Sequence, residues 1–355
     1  MERINLFNPR KELERIRNFD QKVLNILRSG QYINGEECMR LETQLATYLG
    51  VSACVSTSSG TAALELILKA LNLKKKTKIL VTAHTFVAVV EAILNSGHVP
   101  EFLDLDELSW QMPCINGSEE ILLVSHLYGG VAPALDSRCH LLIEDCAQSV
   151  GAVFREKKLG SFGMAAGISL YPTKNLGALG DAGIISTNDE ALAVKLRALR
   201  NHGQTRHQYH QYLGTTARMD EVQALVLREK LCIFDDLLAE RRRIAEYYSS
   251  ALRHLPLEMP DTLSSALPAP NLFVISVENR GQLKEHLNRL GIDCGTHYPV
   301  PIHKIPAYRQ YRWAKVSLPI TERLLNQILT VPLWVGMSSS QLDRVVEAIY
   351  SFFKT

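Results

Sequence analysis

A lysine near the middle of the chain stands in a setting that suits covalent chemistry. Lys174 lies between a strand-like apolar run and a stretch that is rich in glycine, with little charge on either side. A lysine in such a desolvated setting has a lowered pKa and can form a Schiff base with a carbonyl compound. An exposed loop lysine is the alternative, and it is the commoner explanation for any single lysine.

A carboxylate follows another apolar run. Asp145 comes directly after residues 141–144, which are typical of a buried strand. In parallel sheets, ligands bind outside the carboxyl ends of the strands. An acid at that place can hold a cationic ring nitrogen. The alternative is that Asp145 only caps the helix that follows.

A third feature is a run of hydroxyl side chains and a glycine before a helical pattern. The run is Ser58, Ser59, Gly60 and Thr61, and the helix is predicted over residues 61–71. Backbone N–H groups at a helix N-terminus, with hydroxyls beside them, bind anions. Serine and threonine also cap many helices that bind nothing, so this feature alone does not indicate a phosphate site.

The three features together match the needs of pyridoxal 5′-phosphate. Its phosphate needs N–H and hydroxyl donors, its pyridine nitrogen needs an acid, and its aldehyde needs a lysine. Phe86 follows the predicted strand 78–82 and can stack on the ring, although a core aromatic is the alternative. The combination predicts a pyridoxal phosphate site, and we predict no metal site.

The predicted elements explain how residues so far apart in the chain meet. Within the first 190 residues, short apolar runs alternate with helical patterns, which indicates a mostly parallel sheet with helices on its faces. The predicted strands are residues 78–82, 99–103, 121–125, 141–144, 167–171 and 183–187, and the helices are 41–49, 61–71 and 85–95.

The C-terminal part follows a different pattern. Residues 219–255 are helical almost throughout, and several prolines then punctuate the chain. A smaller α/β segment follows, with a strand at 271–277 and helices at 280–290 and 340–353. We therefore predict a large ligand-binding domain over residues 1–240 and a small domain over 241–355.

Composition excludes several classes of protein. Thirty-nine Lys and Arg against 37 Asp and Glu give a net charge of +2, so a nucleic-acid or membrane-surface binder is not expected. The charged N-terminus lacks the apolar core of a signal peptide. Seven cysteines without a CxxC pair are typical of free thiols in a reducing cytoplasm, where we place the protein.

Eight sequence blocks, in order along nearly the whole chain, identify a family. The chain resembles the DegT/DnrJ/EryC1/StrS sugar aminotransferases, which are fold-type I pyridoxal phosphate enzymes. The blocks are SSGTAAL (58–64), HTFVA (84–88), HLYGG (126–130), IEDCAQSVGA (143–152), YPTKNLGALGDAG (171–183), LRNHG (199–203), ARMDEVQA (217–224) and HYPVPIH (297–303). The resemblance implies an α/β fold with a mostly parallel mixed sheet, flanked by helices, and a smaller C-terminal α/β domain.

The resemblance also implies roles for individual residues. Lys174 matches the Schiff-base lysine, Asp145 the partner of the pyridine nitrogen, and Gln148 the residue near the ring hydroxyl. The other positions that match are the phosphate ligands Ser59, Gly60, Thr61 and Ser169, the stacking residue Phe86, and the substrate-side residues His297, Tyr298 and His303.

The chain departs from the family at a few places. Thr216 stands where the family usually has an Asn that reaches the cofactor phosphate of the neighbouring subunit, so a homodimer with shared active sites is implied, with Thr216 as a shorter donor. Met164 stands where Asp is common. The connections before residues 121 and 141 are short, which suggests that a family helix is trimmed there.

The resemblance implies a transaminase reaction. An amino acid, with glutamate expected, would donate its amino group to a keto-sugar linked to a nucleotide. The lysine block is most similar to that of members acting on dTDP-3-keto-6-deoxyhexoses. A 4-keto-sugar or cyclitol aminotransferase and a non-catalytic, regulatory relative stay open, whereas Lys174 argues against the dehydratases that carry histidine there.

Overall fold

A seven-stranded mixed sheet forms the centre of the fold. The computed structural model describes residues 2–118 and 120–354, so Met1 and Thr355, the outer ends of the two predicted domains, lie outside the described residues. The fourteen described strands are β1 Ala53–Thr57, β2 Lys78–Thr82, β3 Val99–Leu103, β4 Ile121–Ser125, β5 Leu141–Asp145, β6 Val153–Phe154, β7 Lys157–Lys158, β8 Ala165–Ser169, β9 Gly183–Thr187, β10 Gln204–Arg206, β11 Tyr209–His210, β12 Ala266–Leu267, β13 Phe273–Ser276 and β14 Ile328–Val331.

The central sheet is parallel except at one strand. Its order is β1-β9-β8-β5-β4-β2-β3. Strand β9 runs antiparallel to both of its neighbours, and every other neighbouring pair is parallel. The mostly parallel sheet that the sequence predicts is therefore confirmed. Its parallel strands end at one edge, which is where ligands bind in such sheets.

Eleven α-helices are found among the described residues. They are α1 Arg10–Leu13, α2 Phe19–Ser29, α3 Glu36–Leu49, α4 Gly60–Ala70, α5 Val87–Asn95, α6 Glu190–Leu199, α7 Glu221–Leu231, α8 Phe234–Leu252, α9 Arg280–Arg289, α10 Pro319–Gln327 and α11 Ser339–Lys354. Residues of α4, α5 and α6 share one apolar core with the sheet, and residues of α3, α7 and α8 share another. A single 3-10 turn, Pro133–Asp136, stands before β5, at one of the two short connections.

The first strand was not predicted, because its buried side chains are small and two of its five residues carry hydroxyls. Ser56 is buried in β1, and its hydroxyl donates to the Glu42 carboxylate at 2.8 Å. The Arg200 guanidinium donates to the same hydroxyl at 2.6 Å. A Ser/Thr-rich run without apolar alternation becomes a core strand here because side chains distant in sequence satisfy its hydroxyls.

Two predicted boundaries were wrong. Strand β8 begins and ends two residues before the predicted 167–171, because its pairing with β9 stops where Ser169 meets Gly183. The continuous helix predicted over 219–255 is two helices, α7 and α8, which are broken at Cys232 and Ile233. No glycine or proline marks that break, so local sequence did not reveal it.

A third apolar core lies in the C-terminal part of the chain. Residues of α8, α9 and α11 pack there against the antiparallel pair of β13 and β14. Ile4 belongs to the same core, and its backbone N–H donates to the Gly291 carbonyl at 2.9 Å. The beginning of the chain thus packs against the C-terminal part, whereas the division at residue 240 stays a prediction.

Two smaller findings concern the cysteines and the helices. All seven cysteines carry free thiols. Within residues 2–118 and 120–354, no helix combines the length and the apolar character needed to cross a bilayer.

Candidate active site

Most of the residues singled out from the sequence line one cavity. It has a volume of about 360 Å³ and lies where β5 and β8 end, at Asp145 and Ser169. Ten of the expected residues line it: Ser59, Gly60, Thr61, Phe86, Asp145, Gln148, Ser169, Lys174, His297 and Tyr298.

The N-terminus of α4 forms one end of the cavity. Ser59 is the N-cap residue, and its Oγ accepts a hydrogen bond from the Ala62 N–H at 3.1 Å. The N–H groups of Gly60 and Thr61 have no intrahelical acceptor, as is usual in a first helical turn. A Cβ on Gly60 would lie only 2.6 Å from Cβ of Ser169. This close approach, with hydroxyls on both sides, makes a cradle that fits a phosphate group.

Asp145 is a buried carboxylate at the end of β5. One of its oxygens accepts from the Ala147 N–H at 3.1 Å, and the other accepts from the Ser125 hydroxyl at 3.0 Å. Burial raises the pKa of Asp145, and these hydrogen bonds and the charge of Lys174 oppose that rise. A cationic ring nitrogen placed beside Asp145 would stabilise its ionised form, so the residue fits a pyridinium partner.

Lys174 borders the cavity on a loop after β8. Burial lowers the pKa of Lys174 to about 8, although the nearby Asp145 carboxylate favours the charged form. Relative to an ordinary lysine of pKa 10.5, this shift increases the neutral amine at neutral pH by about 300-fold. The neutral amine is the form of lysine that attacks an aldehyde.

Gln148 and Tyr298 form a hydrogen-bonded pair on the cavity wall. The Tyr128 N–H donates to Oε1 of Gln148 at 2.7 Å, which identifies the other amide atom as the nitrogen. That nitrogen donates to the Tyr298 hydroxyl at 2.9 Å. The hydroxyl accepts this bond, so its own proton remains free to donate to a ligand. Burial raises the pKa of Tyr298, which keeps the proton in place.

Two further side chains shape this wall. The rings of Phe86 and Tyr298 lie 5.5 Å apart between centroids and are tilted by 38°. Phe86 is 51% exposed, so it is not the core aromatic that the sequence left as an alternative. Nδ1 of His297 lies 2.8 Å from the Thr330 hydroxyl, and burial together with the charge of Lys174 lowers the pKa of His297 to about 4. His297 therefore faces the cavity as a neutral imidazole.

Two expected site residues lie outside this cavity. His303 is buried in the turn Ile302–Lys304, where its Nε2 lies 3.0 Å from the Glu322 carboxylate. The structure therefore does not bring His303 to the cavity of this chain, and its contact with substrate stays a prediction. Thr216 is exposed, and its hydroxyl lies 2.7 Å from Nε2 of His202. Its predicted contact across a subunit interface stays a prediction.

His126 lines the cavity but was not assigned a role from the sequence. Its Nδ1 accepts from the Ala132 N–H at 3.1 Å, so the proton of the neutral ring lies on Nε2, which faces Glu144 at 3.5 Å. Although burial opposes it, the nearby His126 ring and hydrogen bonds from the backbone N–H groups of Gly160 and Gly163 hold the pKa of Glu144 below its usual value. The position of His126 after the apolar run 121–125 was the signal available.

His126 also belongs to a buried group of potential metal ligands. Among the described residues, one buried group of His126, Glu144 and Cys146 has ligand atoms within 4.8 Å of one another. The only lone pair on the neutral His126 ring is used by the Ala132 N–H. Burial and the neighbouring Glu144 carboxylate raise the pKa of Cys146 well above its ordinary value, so it stays a thiol.

The chain matches a protein family over almost its whole length. The sequence profile of the DegT/DnrJ/EryC1/StrS aminotransferase family matches residues 14–350. The chain is 37% identical over 350 residues to the erythromycin biosynthesis sensory transduction protein EryC1 of Saccharopolyspora erythraea, covering 95% of this chain and 96% of that protein.

Two further relatives are named for nucleotide-sugar reactions. The dTDP-3-amino-3,4,6-trideoxy-alpha-D-glucose transaminase of Streptomyces venezuelae is 35% identical, and the alignment covers 93% of this chain and 90% of that one. The UDP-N-acetyl-3-dehydro-alpha-D-glucosamine 3-aminotransferase of Acidithiobacillus ferrooxidans is 33% identical, with 91% and 90% covered.

Solved structures share the fold. DesV of S. venezuelae, in complex with a ketimine intermediate, superposes with a TM-score of 0.93 at 32% identity, and all of both chains is covered. NtdA of Bacillus subtilis, with bound cofactor PMP, gives a TM-score of 0.87 at 26% identity, over 100% of this chain and 86% of that one. The chain therefore belongs to the DegT/DnrJ/EryC1/StrS aminotransferase family and is a pyridoxal phosphate-dependent aminotransferase of fold type I.

Proposed function

We propose that this enzyme moves an amino group from L-glutamate to a dTDP-linked 3-keto-6-deoxyhexose. That it acts on a keto intermediate of a nucleotide sugar follows from its family and its transaminase relatives. The observation that carries the proposal is the meeting of Lys174, Asp145 and the N-terminus of α4 in one cavity. The position of the keto group and the dTDP carrier rest on the name of the S. venezuelae relative and on the lysine block.

The site residues would each bind a different part of the cofactor. Lys174 would hold the aldehyde, Asp145 the ring nitrogen, and the α4 N-terminus with Ser169 the phosphate. Phe86 lies on the same wall and would stack on the ring. When bound, pyridoxal phosphate supplies an electron sink for the negative charge that develops at the substrate carbon.

Lys174 is also the group that moves protons. Its neutral amine would take the proton from the α-carbon of the amino donor. The pKa of about 8 favours this role, because the free amine is both well populated and basic near neutral pH. Asp145 would keep the ring nitrogen of the cofactor charged, and the Tyr298 hydroxyl would donate to a ligand oxygen.

The proposal is tested by a spectral screen of the purified enzyme. Loaded with pyridoxal phosphate, wild-type protein shows a visible absorption band that L-glutamate bleaches. Keto-sugar nucleotides then restore the band, and the dTDP-3-keto-6-deoxyhexose restores it fastest. Lys174→Ala shows neither the band nor turnover, whereas Lys158→Ala, on the surface strand β7, behaves as wild type.

The outcomes of the screen separate the alternatives. Faster restoration by a dTDP-4-keto sugar, a UDP-linked 3-keto sugar or a keto-cyclitol would replace the proposed acceptor. A protein that binds the cofactor but is not bleached by any amino donor would favour a regulatory relative, as the name of EryC1, a sensory transduction protein, suggests for that protein. Failure to bind the cofactor would contradict the proposal as a whole.

We further propose a cytoplasmic homodimer whose subunits complete each other's sites. The support is the exposure of Thr216 and of its neighbour Leu213, an apolar side chain that is 99% exposed on this chain. In a dimer, Thr216 would donate to the cofactor phosphate of the partner. Light scattering at micromolar concentration should give twice the chain mass, and Leu213→Asp should weaken the dimer. A monomer that is fully active would contradict the shared site.

A further inference from the structure

The loop that carries Lys174 is held by a segment distant in sequence. We call residues 268–271, which lie between β12 and β13, the strap. The Ala269 N–H donates to the Gly129 carbonyl at 2.9 Å, and the Asn271 N–H donates to the Tyr128 carbonyl at 3.1 Å. Nε of Arg242, in α8, donates to the Pro268 carbonyl at 2.7 Å. The strap is therefore anchored at several points along its length.

Two buried asparagines join the strap to the lysine loop. Nδ2 of Asn271 donates to the Thr173 carbonyl at 3.0 Å, and Nδ2 of Asn175 donates to the Ala269 carbonyl at 2.7 Å. The two side chains also meet, with Nδ2 of Asn271 lying 3.4 Å from Oδ1 of Asn175. Asn271 is 3% exposed and Asn175 is 2% exposed. The peptide carbonyl before Lys174 and the side chain of the residue after it are thus tied to the strap.

The chemistry of the partners determines the orientation of both amides. A carbonyl oxygen only accepts, so the amide atom that faces it is the nitrogen. Without Asn271, the Thr173 carbonyl would lose its donor in a buried place, where an unpaired polar group is unfavourable. The loop would then have to shift to find another donor.

Asn271 does not line the cavity, whereas Thr173 and Lys174 do. We propose that Asn271 is a positioning residue: its side-chain amide holds the Thr173 carbonyl and thereby fixes the backbone from which Lys174 extends into the cavity. The inference rests on the proposed role of Lys174. A residue outside the cavity would thus set the position of the reactive amine.

The placement of the amine can be measured in the cofactor-free protein. Lys174 has a pKa of about 8 because protein atoms surround its amine. The titratable side chains that share the cavity wall with Lys174 are His126, Asp145, Tyr171, Asp181, His297 and Tyr298. If the loop shifts, the amine gains water, and its pKa rises towards the ordinary lysine value of 10.5.

The test is competitive acetylation of the cofactor-free protein with acetic anhydride across a pH series. The Lys174 peptide is quantified by mass spectrometry. Asn271→Leu has a similar size, carries no charge and lacks the donor. We expect the midpoint of Lys174 labelling to rise by about one pH unit, which slows labelling at pH 8 about fivefold. Thr187→Val is the matched control, because it removes a buried hydrogen bond to the Met164 carbonyl outside the cavity and should leave the midpoint unchanged.

An unchanged midpoint in folded Asn271→Leu would overturn the inference. If that variant does not fold, Asn271→Ala, which leaves space for a water at the Thr173 carbonyl, is measured in the same way, and an unchanged midpoint there has the same meaning. Borohydride reduction of the loaded wild type identifies the lysine that holds the cofactor. Attachment to another lysine contradicts the proposed function, whereas attachment to Lys174 with unchanged midpoints contradicts only the role of Asn271.

Discussion

Asp145 is a buried carboxylate whose negative charge the chain stabilises only in part. Its carboxylate is buried, receives two hydrogen bonds and lies near the charge of Lys174, yet its pKa is raised. The protein interactions therefore do not fully offset the loss of hydration. A cationic ring nitrogen would complete the stabilisation, which explains why the carboxylate lies at the end of a buried strand.

We predict that Asp145→Asn lowers turnover by about 10²- to 5 × 10³-fold, because breaking a buried ion pair costs about 3–5 kcal/mol. The measurement is kcat/KM for bleaching by L-glutamate. Asp181→Asn, on the exposed rim of the same cavity, is the control and should change kcat/KM far less. Equal losses in the two variants would show that cavity charge in general, rather than the Asp145 partner, supports the reaction.

At the scale of elements, the contact between α4 and β8 forms the anion cradle. Gly60 begins α4 directly against Ser169, the last residue of β8. A helix N-terminus can serve as a phosphate site only if nothing fills the space before its N–H groups. Glycine at this position keeps the approach open without a change in either element.

We predict that Gly60→Ala weakens pyridoxal phosphate binding about tenfold or more. The added Cβ would lie 2.6 Å from Cβ of Ser169, and overpacking of this kind typically costs about 1–3 kcal/mol. Dissociation constants from fluorescence titration provide the measurement. Gly281→Ala, in α9, has no atom within 4 Å of the new Cβ, so it should bind the cofactor like wild type. Unchanged affinity in Gly60→Ala would contradict the cradle.

At the scale of the whole molecule, buried neutral histidines link stability to pH. His84 is fully buried and bonds to the Tyr128 hydroxyl through Nε2. Burial lowers its pKa from 6.5 to about 3. Below pH 6.5 the unfolded chain therefore binds a proton at His84, whereas the folded protein does not. Lowering the pH favours unfolding until the pH reaches the pKa of His84 in the folded protein.

We predict that His84 alone lowers the free energy of unfolding by about 2 kcal/mol between about pH 7.5 and about pH 5. Urea unfolding at both pH values measures this loss. His84→Gln keeps a donor for the Tyr128 hydroxyl but has no proton to gain. Between the two pH values its free energy of unfolding should therefore fall by about 2 kcal/mol less than that of wild type. His207→Gln, at an exposed position, should lose as much stability as wild type. A His84→Gln protein with the wild-type loss would contradict the prediction.

Local patterns predicted most of the central sheet because its strands are short, apolar and buried. Strands β2, β3, β4 and β9 occupy the predicted residues. Strand β1 and the break between α7 and α8 were not predicted, since neither has a local signal. The Ser56 hydroxyl of β1 is satisfied by Glu42 and Arg200, which are distant in sequence.

The sequence by itself determined the chemistry, because reactive side chains at strand ends can be recognised from residue type and position. Lys174, Asp145 and the Ser59–Thr61 turn were found in this way, and the cavity brings them together. Only the tertiary structure decided which matching residues face the cavity and which support it from outside. His303 packs away from it, His126 faces it, and Asn271 reaches the lysine loop across 98 residues. Such contacts join segments distant in sequence, and local periodicity carries no information about them.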